Sequence, residues 1–454
     1  MTYHISERMT FGAATTETTL YVDIVAGFDG YDGTVSSPLK TIQEAIYRFF
    51  PPYSPAQFLD SSDLREIILV YTPGMPSIQE QVVKPLHKGG AVLYIRAQHR
   101  VEASVVQSGS LALETGHQSL RRINFTTAPF VGNTLQDGYF VLPTDPTVGG
   151  ALVPTVATEI SAIVNNGDGY VLAPFSNPEI QDAFGFTNAS TLDIVQPQIE
   201  WDSPTTNVGN GAVVSPLITN QGGGLIIQGF IFDRSGDPSS HDRQTLVLDH
   251  GTEATGSNTS MILCRFANLF SIADTSSSLM ISSSYMDMGT NSIQLNQVRD
   301  LTIARCHLTG PAGELQVRYS DLVNINSSYI SRYAGITNKV QIIQCRNCDV
   351  SGIDFRTDVN LIMNGSGGSV QNCTFEGMGS SCITVDDKSH IVINSVTGSA
   401  GNTSHGVEVG DFASVRILGS TVTGTLGDIR VGSSTGLLYS DLPVTDIGTM
   451  SRAE

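Results

Sequence analysis

The chain has 454 residues, with 24 Lys and Arg against 43 Asp and Glu, so its formal net charge is −19. That acidity argues against nucleic acid or an anionic membrane surface as partner and suits neutral or cationic ligands. No run of about 18 apolar residues occurs, so no membrane insertion is expected.

Residues 1–20 are polar and Thr-rich and read as an N-terminal arm. The opening Met1–Arg8 has neither the basic nor the apolar region of a secretory signal, which predicts a protein made and folded in a cytoplasm. Residues 21–60 read as a cap. Tyr21-Val22-Asp23 is a short strand, and Gly27–Gly33 is a Gly/Asp-rich turn. In Ser36-Ser37-Pro38-Leu39-Lys40-Thr41-Ile42-Gln43-Glu44-Ala45-Ile46, Ser37 suits an N-cap and Pro38 a first helical residue. Leu39, Ile42, Ile46 and Phe49 share one face, so the spacing predicts a helix over 38–49. Ile67-Ile68-Leu69-Val70-Tyr71 follows as a strand.

This order of strand, Gly/Asp turn, Ser-Pro-x-x-Thr-Ile-Gln-x-Ala-Ile helix and hydrophobic strand resembles the opening of pectate-lyase-like β-helix proteins. That superfamily includes polysaccharide lyases, glycoside hydrolases and bacteriophage tailspikes. The resemblance implies an all-β, right-handed parallel β-helix whose open end is covered by the helix at 38–49. An uncovered end would expose sheet edges and invite stacking. The resemblance speaks to fold rather than activity.

Residues 61–127 read as the first coils, with strands at Ala91–Ala97 and Leu120–Phe125. Over 128–223 the register is lost. Pro-rich and Gly-rich pieces alternate with Glu159–Val164 and Leu192–Val195, which predicts coils carrying long lateral loops. The only Trp, Trp201, lies here between Glu200 and Asp202 and is a candidate carbohydrate platform as well as a packing residue.

Residues 224–440 repeat, and 441–454 form a tail. One unit has the form Leu301-Thr302-Ile303-Ala304-Arg305-Cys306-His307-Leu308, matched at Leu225/Ile227, Leu279/Ile281, Val323/Ile325 and Val415/Ile417. A second unit has apolar residues two apart: Ile293/Leu295, Leu315/Val317, Ile353/Phe355, Ile383/Val385, Val407/Val409 and Ile429/Val431, with Ile336 a weaker copy. Its steps of 22, 21, 17, 30, 24 and 22 residues imply one tightened turn and one looped-out turn near Asn364–Gly368. A period near 22 with internal alternation means stacked short strands. About ten coils at roughly 4.8 Å each would make a rod on the order of 50 Å long. Cys306, Cys348 and Cys373 fall at one repeat position and read as small buried hydrophobes. Cys345-x-x-Cys348 is a lone pair without a second pair at zinc spacing. No cofactor is expected.

The outward positions of the second unit form a ladder: Gln294, Gln316, Thr337, Asp354, Thr384, Glu408 and Arg430, flanked by Arg318, Arg356 and Asp386. Asp354, Asp386 and Glu408 are the candidate catalytic carboxylates, about 5–10 Å apart, a range that covers two-carboxylate sugar hydrolysis. Arg356 and Arg430, with His405 and Trp201, are candidate substrate-binding residues for an acidic sugar. The bland alternative is a solvated face of ion pairs. A second acidic group, Asp233, Asp237, His241, Asp242, Asp249 and His250, lacks the spacing of a calcium loop, and no metal site is expected.

Ser380-Ser381-Cys382-Ile383-Thr384-Val385 followed by Ser404-His405-Gly406-Val407-Glu408-Val409 is similar to the catalytic stretch of the polygalacturonase family. Ser380 and Ser381 stand where that family has an Asp pair, so its mechanism lacks its acids here. The reading from sequence is therefore a bacteriophage virion protein, tailspike- or fibre-like, that attaches to a host surface polysaccharide. Its expected partners are other virion proteins and two further copies of itself, in a homotrimer. The alternatives are a polysaccharide depolymerase, hydrolase or lyase, and a capsid or tail decoration protein without a glycan role.

Overall fold

A computed structural model describes residues 18–51, most of 64–99, the backbone of strands between 107 and 200, and 218–447 apart from short connecting segments. Within these residues the chain is a parallel β-solenoid. Each coil lays down one strand in each of three sheets, which have 13, 10 and 12 strands. Sheet 1 runs from Thr19–Val22 to Leu437–Ser440, sheet 2 from Gln198–Glu200 to Thr421–Gly424, and sheet 3 from Val82–Lys84 to Val444–Ile447. Thirteen rungs at the strand spacing make a rod of about 60 Å.

The inward positions predicted for the first unit are the core. Leu301, Val323 and Cys348 stack in register in sheet 1, as do Ile303, Ile325 and Val350. All are buried. In sheet 2, Phe355 and Phe375 stack with ring centroids 4.4 Å apart and planes 1° from parallel. Consecutive rungs thus place like side chains on like, and burial comes from stacking rather than from any single coil.

The corners explain the Ser and Cys content. Residues with positive φ turn the chain at corners among the described residues, such as Arg305, Ser327 and Asn372 between sheets 1 and 2, or Gln297, Tyr319 and Gln344 between sheets 3 and 1. The next residue points inward, and its N–H would be buried without a partner. Ser hydroxyls in the following coil accept those N–H groups: Cys264 N to Ser284 Oγ (3.0 Å), Cys306 N to Ser328 Oγ (3.1 Å), Cys345 N to Ser366 Oγ (3.1 Å) and Val396 N to Ser420 Oγ (3.1 Å). A buried N–H left unpaired costs about 1–3 kcal/mol, so these serines hold the corners closed.

The helix is Ile42–Phe49, the one α-helix among the described residues. It starts later than the sequence suggests. Thr41, not Ser37, is the N-cap, its hydroxyl accepting from Glu44 N at 3.2 Å. Thr41 caps because its hydroxyl takes the Glu44 N–H, while its own N–H is taken by Asp29 Oδ1 at 2.9 Å and the Glu44 carboxylate pairs with Arg48. Pro38 and Leu39 instead stay extended, with Leu39 bridging Val22. Ile42, Ala45, Ile46 and Phe49 are buried against the first coils. The Gln43 side-chain amide pairs with Val83 through N–H to Oε1 (2.8 Å) and Nε2 to O (3.0 Å). It thereby occupies the outer edge of the terminal strand of sheet 3, as an end cap must.

Three further expectations are corrected. Leu120–Phe125 does not continue the coil. It pairs antiparallel with Gln107–Leu113 and Asp168–Leu172 in a closed barrel that also takes in Thr158–Val164 and Thr191–Ile194. Leu225 in Gly223–Gln228 pairs with Leu93 in Val92–His99, so those two strands are adjacent rungs and the barrel is inserted within one coil between them. Its strands satisfy their edges among themselves, which is why the repeat vanishes from the sequence. Second, Ile353 and Phe355 belong to the corner and strand of sheet 2, and sheet 3 instead uses Val340/Ile342 and Leu361/Met363. The steps become 22, 25, 21, 22, 24 and 22 residues, with no tightened and no looped-out turn. Third, Cys348 lies in sheet 1 opposite Val323, whereas Cys306 and Cys373 occupy the corner between sheets 1 and 2. All six cysteines are free and buried.

Candidate functional site

The place of the inward residue within the corner varies along the rod, and a groove lies beside three of these corners. Between sheets 3 and 1, the inward corner residues are Val298, Ser320, Cys345, Ser366, Ser389 and Ala413, all buried. The first inward residues of the sheet 1 strands that follow are Leu301, Val323, Cys348, Gly368, Ile391 and Val415. Two residues separate the first three pairs, and one separates the last three. Three consecutive coils therefore follow the inward corner residue with a two-residue crest: Arg299–Asp300, Asp321–Leu322 and Arg346–Asn347. The whole corner, from the last inward residue of sheet 3 to the first of sheet 1, keeps one length in these coils and is a residue shorter only from Met363 to Gly368. These crests stack on each other, with Leu322 N donating to Arg299 O (2.8 Å) and Asn347 N to Asp321 O (2.9 Å).

The corner that is a residue shorter, from Met363 to Gly368, closes through Gly367-Gly368. A Cβ on Gly367 would stand 2.8 Å from Arg346 O, and one on Gly368, whose φ is +151°, would stand 2.0 Å from Cys348 O. Only glycine fits this passage under the arch of the preceding coil.

Beside these arches the outer face of sheet 1 is a groove of about 450 Å³, lined by Asp300 and Thr302, Leu322 and Asn324, Asn347 and Asp349, and Gly368 and Ser369 from four successive rungs. Thr302, Asn324, Asp349 and Ser369 form one outward column in direct register. Asp349 Oδ1 accepts from Ser369 Oγ at 3.2 Å, Gln371 Nε2 donates to Ser369 Oγ at 2.9 Å, and Asn326 Nδ2 donates to Asn324 Oδ1 at 2.8 Å. On the rim, Arg299 Nε lies 3.4 Å from Asp300 Oδ2 and Arg346 Nη1 lies 3.3 Å from Asp321 Oδ1. Leu322, 50% exposed, adds an apolar surface in the middle. The groove can offer hydrogen-bond donors and acceptors at every rung to an extended chain.

The residues singled out from sequence divide over three places. Asp386, Glu408 and Arg430 do share the outer face of sheet 3, Glu408 being directly opposite Thr384 and Arg430. Asp386 is a corner acceptor: its Oδ1 takes Asp387 N (2.9 Å) and Asp411 N (3.0 Å). Gly410 leaves the room for this, since a Cβ there would meet that oxygen at 2.2 Å. Asp354 and Arg356 lie instead in sheet 2, paired in register with Thr374 and Glu376, so they do not join the other acids. Their two-apart alternation is common to all three sheets, which is why the sequence misplaced them. His405 is 3% exposed and shares the inward parity of Val407 and Val409, so it faces the coil interior rather than a ligand. Trp201 and Thr337 lie outside the described residues. Of the second acidic group, Asp233 and Asp249 fall in strands of sheets 2 and 3, and the other members lie outside the described residues. Among the described residues, no three His, Cys, Asp or Glu side chains gather as for a metal ion.

The sequence reading missed the groove. A usable signal was present: the outward residues of the first unit are small and polar in four successive copies, Thr302, Asn324, Asp349 and Ser369.

No family model and no curated protein matches the chain. Among solved structures, it is similar to one titled "Glycoside hydrolase", with 9% identity over 95% of this chain and 97% of that chain and a TM-score of 0.33. It is also similar to a GH136 lacto-N-biosidase from Eubacterium ramulus, with 9% identity over 95% and 68% of the two chains and a TM-score of 0.31. A complex of XylC with xylose follows at 11% identity, 94% and 76% coverage and a TM-score of 0.23. Likeness at these TM-scores carries no argument about chemistry.

Proposed function

We propose that the protein binds a polysaccharide chain along the groove of sheet 1 and attaches without cleaving it efficiently. The observation that carries this reading is the run of four rungs of outward polar side chains in register beside three stacked two-residue crests. The column Thr302–Asn324–Asp349–Ser369 repeats along the rod axis at about 4.8 Å per rung, and sugar hydroxyls repeat comparably along an extended glycan. Each hydrogen bond contributes only about 0.5–1.5 kcal/mol, so useful affinity needs many rungs and many copies. Leu322 suits the C–H face of a pyranose.

Cleavage is disfavoured by the same geometry. Asp300 and Asp349 are the carboxylates of the groove, two rungs and two residues apart, which puts their Cα atoms about 12 Å from each other. The groove is open, and Asp349 is exposed. A proton-donating acid is normally kept from water.

The setting we propose is a bacteriophage particle, with the chain as a tailspike- or fibre-like homotrimer of the pectate-lyase-like kind. The test titrates purified full-length protein with capsular and lipopolysaccharide glycans of candidate hosts by calorimetry, with sedimentation for the trimer. Saturable binding, weakened at least tenfold in Asn324→Ala/Asp349→Ala and unchanged in Glu408→Gln, is the expected result. Glycan binding indifferent to the groove variants, or none at all, overturns the reading.

A further inference from the structure

The outward column of sheet 1 does not stop at the groove. In register beyond Ser369 stand Val392, Arg416 and Tyr439, one on each of the next three rungs. All three are exposed, Val392 at 40% and Tyr439 at 65%. The Arg416 guanidinium lies over the Tyr439 ring, 5.4 Å from its centroid. Stacking on an aromatic ring holds a guanidinium in place without using its N–H donors. Among the described residues no ion pair forms at Arg416. The flanking outward column adds His390, Ser414 and Leu437, and no carboxylate. The chain has 43 acidic against 24 basic residues, so an arginine without a carboxylate does not reflect a shortage of acids.

The groove has the opposite character. Its column carries Asp349, and the flanking column carries Asp300. Asp300 is paired with Arg299 at 3.4 Å, whereas Asp349 bonds Ser369 and, among the described residues, no cation. From Asp349 to Arg416 is three rungs, about 14 Å. That exceeds the screening length of about 8 Å at physiological ionic strength, so neither charge cancels the other and an extended ligand meets each separately. One continuous face therefore offers a free carboxylate over the groove and a free guanidinium toward the C-terminal end of the rod.

We propose that the binding face extends over all these rungs and that Arg416 holds the carboxylate of an acidic sugar, the ligand being a linear heteropolysaccharide whose carboxylate-bearing sugars are separated by uncharged ones. This names the ligand class of the groove reading and rests on it. The guanidinium takes the sugar carboxylate through two parallel N–H···O bonds. The exposed surfaces of Val392, Leu437 and Tyr439 take the C–H faces of the same and adjacent sugars. A polymer charged at every sugar is disfavoured. With one carboxylate on Arg416, others would lie against Asp349, where like charges repel and no cation answers them. Uncharged sugars there hydrogen-bond Asn324, Asp349 and Ser369 instead.

The test measures binding of the full-length protein to immobilised linear glycans of three kinds: capsular heteroglycans with one uronate in each repeat, the same glycans after reduction of their carboxylates to alcohols, and polygalacturonate. Wild-type protein is expected to bind within the first kind, and at least tenfold more weakly to the reduced form and to polygalacturonate. In Arg416→Gln the acidic and reduced forms should bind alike. Circular dichroism confirms that the variants stay folded. Equal binding of acidic and reduced forms by the wild type, a preference that survives Arg416→Gln, or tightest binding to polygalacturonate overturns this inference. The groove reading then still stands if binding falls in Asn324→Ala/Asp349→Ala. Binding to none of the glycans, or binding indifferent to that double variant, overturns both.

Discussion

Gly368 lies against the backbone of Cys348, so close that a Cβ on it would stand 2.0 Å from the Cys348 carbonyl oxygen. This contact closes the corner from Met363 to Gly368, which is one residue shorter than its neighbours. Gly368→Ala is expected to lower stability by more than about 1 kcal/mol, since the residue combines positive φ with a backbone clash. Gly419 also has positive φ (+54°), but its nearest neighbours stand 3.7 Å or more away. Asn372 holds a φ of +51° at the equivalent corner. Gly419→Asn should therefore shift the urea midpoint little. Equal loss in the two variants would mean that backbone conformation, not the passage under the arch, sets the cost.

Ser366 links three coils. Its N–H donates to Ser389 Oγ (3.0 Å), and its hydroxyl accepts from Cys345 N and donates to Ile342 O (3.1 Å). Ser366→Ala leaves the buried Cys345 N–H unpaired and should cost about 1–3 kcal/mol. Ile303→Asp, at a fully buried position, places an unpaired charge in the coil and should abolish folding. Circular dichroism and denaturant titration separate the two effects. A folded Ile303→Asp protein of normal stability would contradict the inward stack.

Much of this was legible beforehand, and the reasons for the failures are specific. Leu301/Ile303 and Val323/Ile325 alternate over a full strand, and strict alternation can only mean one buried face. Ile353/Phe355 alternate equally well, but three-residue strands carry no mark of which sheet they join. The helix start was hidden by two competing signals, Ser37-Pro38 and Thr41-x-x-Glu44. The groove shows only once the rungs are in register, which brings Thr302, Asn324, Asp349 and Ser369 into one column. Arg299, Asp321 and Arg346 look like ordinary surface residues until the spacing from Ser320 to Val323 is set beside that from Ser389 to Ile391.

Buried thiols make stability fall at alkaline pH. In the unfolded chain a thiol ionises near about 8.5. In the fold, burial raises Cys264 and Cys382 to about 12 and Cys373 to about 11. Between these values the unfolded state has released protons that the native state still holds, so the unfolding free energy decreases as pH rises. The contribution is complete below the unfolded pKa and is lost as pH climbs through the folded values. Urea midpoints are expected to drop between pH 8 and pH 11, and to drop less steeply in Cys264→Ala, whatever that variant's stability at neutral pH. An identical slope in the variant would remove Cys264 from the account.

The last prediction concerns the acids of sheet 3, which remain the strongest rival site for chemistry. Asp386 and Glu408 are outward on adjacent rungs, and their Cα atoms are about 8 Å apart by strand geometry. That spacing alone would suit sugar hydrolysis. Yet Asp386 is committed to the Asp387 and Asp411 amides, and Glu408 stands directly across from Arg430 in the register. Asp386→Ala should cost roughly 1 kcal/mol through those lost bonds, so a fall in any activity of that variant would be ambiguous. Glu408→Gln keeps the shape of its side chain and should leave stability within about 0.5 kcal/mol. It is therefore the informative variant. Wild-type protein incubated with a glycan it binds should produce no new reducing ends and no shortening of the chain, and Glu408→Gln should behave identically. Rapid depolymerisation by the wild type, abolished in Glu408→Gln with the fold intact, would move the chemistry to sheet 3 and replace attachment by cleavage.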